Sequence, residues 1–306
     1  MQKNFTVLLS GFLLGLTTIL CLGFQSGGQI CNFTTAQCDF LKELANKGSF
    51  VDLPDGQGGM HRTLRLSSIN VQIVNGQGLT TVKNGLGNLI VGYNEMTGVN
   101  PNGDDRTGSH NVVLGMENSY SKTGGFLSGE RNSVFVDHAS AIGGFKNLAS
   151  GSRAVVVSGV SNMAGIVNSA IVAGALNSVI GAGANEAAIL GGQSNVIDGG
   201  FRAAIMAGDS NAIVNSSFGS ITGGSGNRIG VQGTLGTITG GANNIVNGAK
   251  AVVLGGVGNS ANGLHSTVSG GEGNTATGLH SSVSGGNART ASGTHDWVAG
   301  SLFQDN

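Results

Sequence analysis

The chain has 306 residues, of which 56 are glycine, only 2 are proline and 10% are charged. So much glycine with so little proline excludes a collagen triple helix, and the 39% of apolar residues argues against a disordered chain. The formal net charge is −1, from 15 basic and 16 acidic side chains spread along the sequence. We therefore expect neither nucleic acid nor an anionic membrane surface as a partner.

Residues 1–28 predict an export signal. Lys3 precedes an uncharged run over residues 5–24, and small residues near Gly23 and Gly28 suit a cleavage site. The run is also about long enough to span a bilayer, so an uncleaved anchor is the alternative. Polar and glycine residues interrupt the run and favour cleavage. We expect an extracellular or bacterial cell-surface protein with no membrane span after signal removal.

Residues 29–84 differ from the rest of the chain and predict an N-terminal capping segment. Residues 38–46 suit a short helix, and residues 62–74 alternate between apolar and polar as strands do. Cys31 and Cys38 would be the cysteines left in an exported chain, where a disulfide can form and persist. Two unpaired thiols are the alternative.

One phrase recurs from Val112 onward: an aliphatic residue, a variable residue, a small residue, Gly, two variable residues and Asn. Successive copies are 14 to 18 residues apart, mostly about 15, a period too short for a helix pair or a propeller blade. The copies end at Asn118, Asn132, Asn147, Asn162, Asn177, Asn195, Asn211, Asn227, Asn244, Asn259 and Asn274.

This period predicts a solenoid in which each coil has two short strands and two turns. Residues 187–190 and 281–284 carry β-branched side chains between glycines, as short strands do. Paired glycines such as Gly270 and Gly271 permit positive φ at a tight turn. We therefore predict an all-β fold, a parallel β-roll over residues 85–306 with coils about 4.8 Å apart.

The recurring asparagine is predicted to be structural. Asn tolerates left-handed turn geometry and hydrogen-bonds both to backbone and to the Asn of the next coil. One coil of about 15 residues encloses little volume and leaves an apolar face exposed. Self-association is therefore expected, although the period does not fix the number of subunits.

Two consecutive units, NSANGLHSTVSGG at residues 259–271 and NTATGLHSSVSGG at residues 274–286, resemble the head repeat of trimeric autotransporter adhesins, the YadA-like heads. The resemblance covers roughly residues 85–301. It implies a left-handed roll and a homotrimer packed through apolar faces. Members of that family continue into a neck, a stalk and a membrane β-barrel, whereas this sequence ends at Asn306. We therefore expect a free head module, exported by a general route.

We predict that the chain is not an enzyme and needs no cofactor. The coil length does not match the coils of about 18 residues in hexapeptide acyltransferases. Asp198, Asp209 and Glu272 are isolated on different coils, whereas carbohydrate-cleaving β-helices need clustered carboxylates. Thr237 and Thr239 form a single Thr-x-Thr triplet, so ice binding ranks low.

His265, His280 and His295 are each 15 residues apart and should stack on successive coils. Imidazoles in a column could take a transition metal or act as a pH-sensitive strip. The favoured interpretation is that they are exposed turn residues copied with the repeat, so no metal site is predicted.

Two functions fit these features. The first is cell or matrix attachment, through weak contacts, repeated along the coils, to an extracellular matrix, polysaccharide or cell-surface ligand. The second is a purely structural role in an extracellular fibre or coat.

Overall fold

The computed structural model describes residues 34–96 and 104–300, so the predicted signal at 1–28 lies outside the described residues. The chain divides into two compact units, residues 1–72 and residues 73–306. The first unit contains one helix and a hairpin in its described part, and the second contains the repeats.

In the first unit, helix α1 (Thr35–Lys47) lies where the sequence predicts a helix, with slightly wider bounds. It begins at a capping box, in which the backbone N–H of Gln37 donates to Oγ1 of Thr34 over 3.3 Å and the Gln37 side chain accepts from the Thr34 N–H. Strands β1 (Gly48–Pro54) and β2 (Met60–Leu66) follow as an antiparallel hairpin. Strand β2 takes the first part of the predicted alternating segment, whereas residues 67–74 form no strand.

The second unit confirms the predicted parallel β-solenoid, with about 12 coils of about 15 residues. Its described residues form two parallel sheets, and the chain alternates between them from β4 onward. The first sheet has 14 strands: β3 (Leu89–Val91), β4 (Val112–Met116), β6 (Phe126–Glu130), β8 (Ser140–Phe145), β10 (Val155–Val156), β12 (Ala170–Ile171), β14 (Ala188–Ile189), β16 (Ala204–Ile205), β18 (Ser220–Ile221), β20 (Thr237–Ile238), β22 (Val252–Val253), β24 (Thr267–Val268), β26 (Ser282–Val283) and β28 (Trp297–Val298).

The second sheet lies on the other side of the coils and has 12 strands in the described residues. They are β5 (Ser119–Tyr120), β7 (Ser133–Val134), β9 (Leu148–Ala149), β11 (Met163–Ala164), β13 (Ser178–Ile180), β15 (Val196–Asp198), β17 (Ala212–Val214), β19 (Arg228–Ile229), β21 (Ile245–Val246), β23 (Ser260–Ala261), β25 (Thr275–Ala276) and β27 (Thr290–Ala291).

The hydrophobic core lies between the two sheets. Each coil buries one central residue from each sheet, for example Ile189 and Ile197, both fully buried. Successive strands are in register, so Ile189 pairs with Ile205 in the next coil of the same sheet. The central residues of the second sheet shrink to alanine towards the C-terminal end, as at Ala276 and Ala291.

The two corners of a coil differ. We call the turn from the first sheet to the second the glycine corner and the turn from the second sheet to the first the variable corner. From β8 onward the glycine corner keeps one length, so that Ile189 precedes Asn195 by as many residues as Val253 precedes Asn259. Differences in coil length between 15 and 18 residues therefore fall in the variable corner.

A column of glycines in left-handed backbone conformation forms the glycine corner. Gly192 has φ +88°, and a Cβ added there would lie 2.1 Å from the carbonyl oxygen of Gly208 in the next coil. The preceding Gly191 has no atom within 4 Å of an added Cβ and does not have positive φ. Only the second glycine of this pair is therefore required by conformation and space.

Replacing Gly192 by alanine should lower the free energy of unfolding by about 3 kcal/mol or more, because the new Cβ meets backbone at a left-handed position. The matched control Gly191→Ala should change it by less than about 0.5 kcal/mol. Urea unfolding followed by circular dichroism measures both variants. Equal losses in the two variants would contradict the proposed role of the glycine column.

Candidate functional site

Stacking places equivalent residues of successive coils in columns, and the buried asparagines form the most regular one. The backbone N–H of Asn195 donates to Oδ1 of Asn177 over 3.0 Å, and Oδ1 of Asn195 accepts from the N–H of Asn211 at the same distance. The Asn195 Nδ2 donates to the carbonyl oxygens of Gly191 and Gly208, at 3.1 and 2.9 Å. Each asparagine thus joins its own coil to both neighbours, through its side chain and its backbone N–H.

The asparagine itself does not have positive φ. Besides the glycine column, the corner has a second left-handed position, the residue directly before the asparagine, such as Ser161 and Ser194, with φ of 55° and 54°. Asn is therefore selected for its side-chain hydrogen bonds and its burial, since all the predicted column members are at most 1% exposed. Arg289 stands at the end of the column, in the place of an asparagine. Its backbone N–H still donates to Oδ1 of Asn274 over 2.8 Å, but its side chain has no amide group to continue the column.

The three histidines lie at the variable corner, on the exposed surface, and their rings stack. The ring centroids of His265 and His280 are 4.8 Å apart with 14° between planes, and those of His280 and His295 are 5.1 Å apart with 3° between planes. All three have positive φ, between 57° and 60°. Partial desolvation, followed by the charge of Lys250 and by His280, lowers the pKa of His265 below its ordinary value.

Stacked imidazoles present their edges side by side and do not converge on one point. Among residues 34–96 and 104–300, no group of three or more His, Cys, Asp or Glu side chains is arranged to hold a metal ion. The geometry therefore favours proton binding by the imidazoles and contacts with charged groups over metal ligation.

At the same corner position of other coils, side chains of successive coils form hydrogen bonds or ion pairs with each other. Arg202 donates to the Glu186 carboxylate over 2.6 Å, and Arg153 donates to Oδ1 of Asn168 over 2.9 Å. His138 occupies this position as well, with φ of 61°. The variable corner is therefore a continuous line of exposed side chains whose chemistry changes along the solenoid.

The outward face of the first sheet is a second candidate surface, and the two rows of residues that flank its buried central residues carry no charge. The residues that flank each buried central residue point away from the core, as alternation along a strand requires. Five consecutive apolar members of one row, from Ile142 to Met206, are 37% to 47% exposed. The rows are Val112, Phe126, Ser140, Val155, Ala170, Ala188, Ala204, Ser220, Thr237, Val252, Thr267, Ser282 and Trp297, and Leu114, Ser128, Ile142, Val157, Val172, Leu190, Met206, Thr222, Thr239, Leu254, Ser269, Ser284 and Ala299.

The sequence predicts an exposed apolar face but does not identify the residues that form it. The available signal was the pair of residues on either side of the central aliphatic residue, which are uncharged in every copy. In the same rows, Thr237 and Thr239 have similar side chains beside them in one neighbouring coil only. Ser220 pairs with Thr237 on one side, while Val252 follows on the other. Two adjacent coils with hydroxyls do not make a long ladder.

The carboxylates remain apart. Asp209 and Glu272 lie in one column at the glycine corner, but Ser225, Ala242 and Val257 separate them, which places them about 19 Å apart at the strand spacing. Asp198 lies at the end of β15 in the second sheet. The structure does not bring these three groups together.

Of the two predicted disulfide cysteines, Cys38 is buried in α1. Cys31 lies outside the described residues, so the disulfide stays a prediction.

No protein-family model matches the chain, and no curated protein matches it. Within the described part of the chain, no helix combines the length and the apolar character needed to cross a bilayer.

Replacing Asn195 by alanine should lower the free energy of unfolding by about 2 to 4 kcal/mol, because it leaves the buried N–H of Asn211 without its acceptor and removes one hydrogen bond from each of two carbonyl oxygens. Asn247→Ala is the control: it removes a 3.0 Å bond to Asn262 on the exposed surface and should cost less than about 0.5 kcal/mol. Urea midpoints report both changes. A loss in Asn195→Ala no larger than that of the control would contradict the structural role of the column.

Replacing Lys250 by glutamine should raise the pKa of His265 towards its ordinary value, because one of the charges that lower it is removed. Lys146→Gln, on a distant coil, is the control and should leave it unchanged. NMR titration of the imidazole Cε1–H signals measures this pKa. Since the folded chain binds the proton of His265 more weakly than the unfolded chain, the stability linked to this group is lost as the pH falls through that pKa. A Lys250→Gln titration identical to wild type would contradict the assigned cause.

Proposed function

We propose that the chain is a secreted or surface-exposed attachment module without enzymatic activity, whose solenoid associates into a homotrimer through the outward face of the first sheet. The observation that carries the proposal is that both rows of this face are free of charge from Val112 to Ala299. Over so many exposed positions, the surface of a soluble protein normally includes charged residues. The absence of charge from these rows therefore favours a face that is covered by a partner.

A second copy of the chain is the occupant that suits this face best. The five apolar residues from Ile142 to Met206 repeat at the strand spacing over about 20 Å, and another copy carries the same rows at the same spacing. Identical uncharged rows can approach each other without the repulsion that equal charges would cause. The closed ring of three and the left-handed winding follow from the resemblance to YadA-like heads.

Attachment is the function that this arrangement supports. Equivalent side chains recur at every coil, so weak contacts to an extended matrix, polysaccharide or cell-surface ligand add through multivalency. The separation of Asp209 from Glu272 supports a role without catalysis. A purely structural fibre or coat element is the second candidate, since an uncharged face also suits lateral assembly without any ligand.

Light scattering on the chain from Gln29 to Asn306 tests the assembly. Three times the monomer mass supports the trimer, and a stable monomer would overturn it. Binding of the purified protein to immobilised cells and matrix polymers then separates the two functions. Retention on such surfaces favours attachment, whereas end-to-end filaments with no retention favour the structural role.

Replacing Leu190 by lysine should convert the assembly to monomers at micromolar concentration, because lysines from several copies would be buried together at a cost of several kcal/mol. Leu264→Lys is the matched control. Leu264 is as exposed as Leu190, 46% in each case, but it lies at the variable corner and its replacement should leave the mass unchanged. Light scattering measures both, and dissociation in the control alone would place the interface at the variable corner instead.

A further inference from the structure

The net charge at the C-terminal end of the solenoid depends on whether its histidines are protonated. Residues 245–300 contain two basic side chains, Lys250 and Arg289, and two acidic ones, Glu272 and Asp296. These cancel, so this end is formally neutral when the imidazoles are neutral. Protonation of His265, His280 and His295 makes it strongly positive.

The positive charge would be concentrated on one edge. Lys250 precedes the three histidines at the same corner position, and the imidazole rings follow at 4.8 and 5.1 Å. All three histidines are exposed. Four cationic groups would then form a straight line with the spacing of the coils.

Few other charges face this line in the described residues. Asp296 follows His295, and its carboxylate accepts from the N–H groups of Ser292 and Gly293. Glu272 lies in the glycine corner and accepts from the Asn287 side chain over 3.1 Å. Arg289 occupies the end of the asparagine column.

Desolvation, and then repulsion by the charges of Lys250 and His280, lower the pKa of His265 and oppose its protonation. A ligand with several negative charges relieves that repulsion and thereby promotes proton uptake, so binding and protonation are linked. One small anion reaches only one or two of the cations. A polymer with an anionic group on successive units can reach all of them.

Apolar surface beside the column favours a sugar polymer among such polyanions. Leu264 and Leu279 directly precede two of the histidines and are 46% and 40% exposed. They offer apolar contact to the C–H faces of sugar rings, while the imidazolium N–H groups donate to carboxylate or sulfate oxygens.

We propose that Lys250, His265, His280 and His295 form a binding site for acidic polysaccharide that is occupied when the imidazoles are protonated and is weak when they are neutral. This inference rests on the proposed attachment function and names its ligand class. It adds a dependence on acidity that the uncharged face of the first sheet does not provide.

The test uses the exported chain, Gln29 to Asn306, in its native assembly and compares three probes: a polyuronate, sulfated dextran and unmodified dextran. Binding is measured at pH 5.5 and pH 7.5 at low ionic strength. We expect about tenfold tighter binding of the two anionic polymers at the lower pH, since three exposed charge pairs each contribute modestly. Unmodified dextran should bind weakly at both values. Binding to only one anionic polymer identifies carboxylate or sulfate as the recognised group.

The decisive variant replaces all three column histidines by asparagine, a residue that this corner already tolerates at Asn168 with φ of 56°. We expect it to abolish the tenfold difference between the two pH values. His138→Asn, at the equivalent corner position of a distant coil, is the matched control and should retain the difference. Circular dichroism and light scattering establish that both variants keep their fold and assembly.

Calorimetry in two buffers of different ionisation enthalpy supplies a second readout. Wild type should take up protons on binding at pH 5.5, and the triple variant should take up fewer. An unchanged pH difference in the triple variant overturns the site. If wild type adheres to cells at neutral pH but shows no pH difference with the polyanions, the site is refuted and the attachment function stands. If it binds none of these surfaces and polymers, both fail.

Discussion

Coil-to-coil pairing at about 4.8 Å is the constraint on which the rest of the structure depends. Because the coils are in register, the nearest neighbour of most side chains is the residue at the equivalent position of the next coil. A residue type that recurs at one position in successive coils must therefore pack or bond favourably with itself. Ile189 stacks on Ile205, and Asn195 both donates to Asn177 and accepts from Asn211.

The same constraint explains where charge is found. Two exposed arginines at the variable corner lie beside a partner of opposite sign or a neutral amide, as with Glu186 and Arg202 or Arg153 and Asn168. The histidine column is the exception, since three copies of one ionisable group follow each other. Imidazoles permit this because they stack as neutral rings, whereas a column of lysines would carry its repulsion at every pH used in biology.

Much of this fold could be predicted from the sequence because the repeat reports directly on the coil. The spacing of Asn259 and Asn274 gives the period, and the aliphatic residues before each glycine locate the first sheet. The helix near Cys38 was also recognisable from its apolar residues. Strand β1 was not, since its stability comes from pairing with β2, and no local pattern shows that pairing.

The candidate sites were harder to predict from the sequence than the fold. The interval of 15 residues predicted that His265, His280 and His295 align, but only the structure gives the ring planes, the exposure and the proximity of Lys250. The identity of the left-handed residue was also hidden, because Ser194 is an unusual choice for positive φ and Asn195 a common one. In the structure the backbone N–H of Ser194 donates to the carbonyl oxygen of Ala175 in the preceding coil over 2.9 Å, and no local sequence pattern shows that bond.

The division between a constant glycine corner and a variable corner has a consequence for how such a chain changes over generations. Residues 259–273 and 274–288 are nearly interchangeable units, so unequal recombination between their coding segments would remove or add one whole coil without disturbing the register on either side. Each event would alter the reach of the molecule by one strand spacing. Because each of these units also carries a histidine, the same event would alter the number of titratable groups on the edge, so length and acid response would be inherited together.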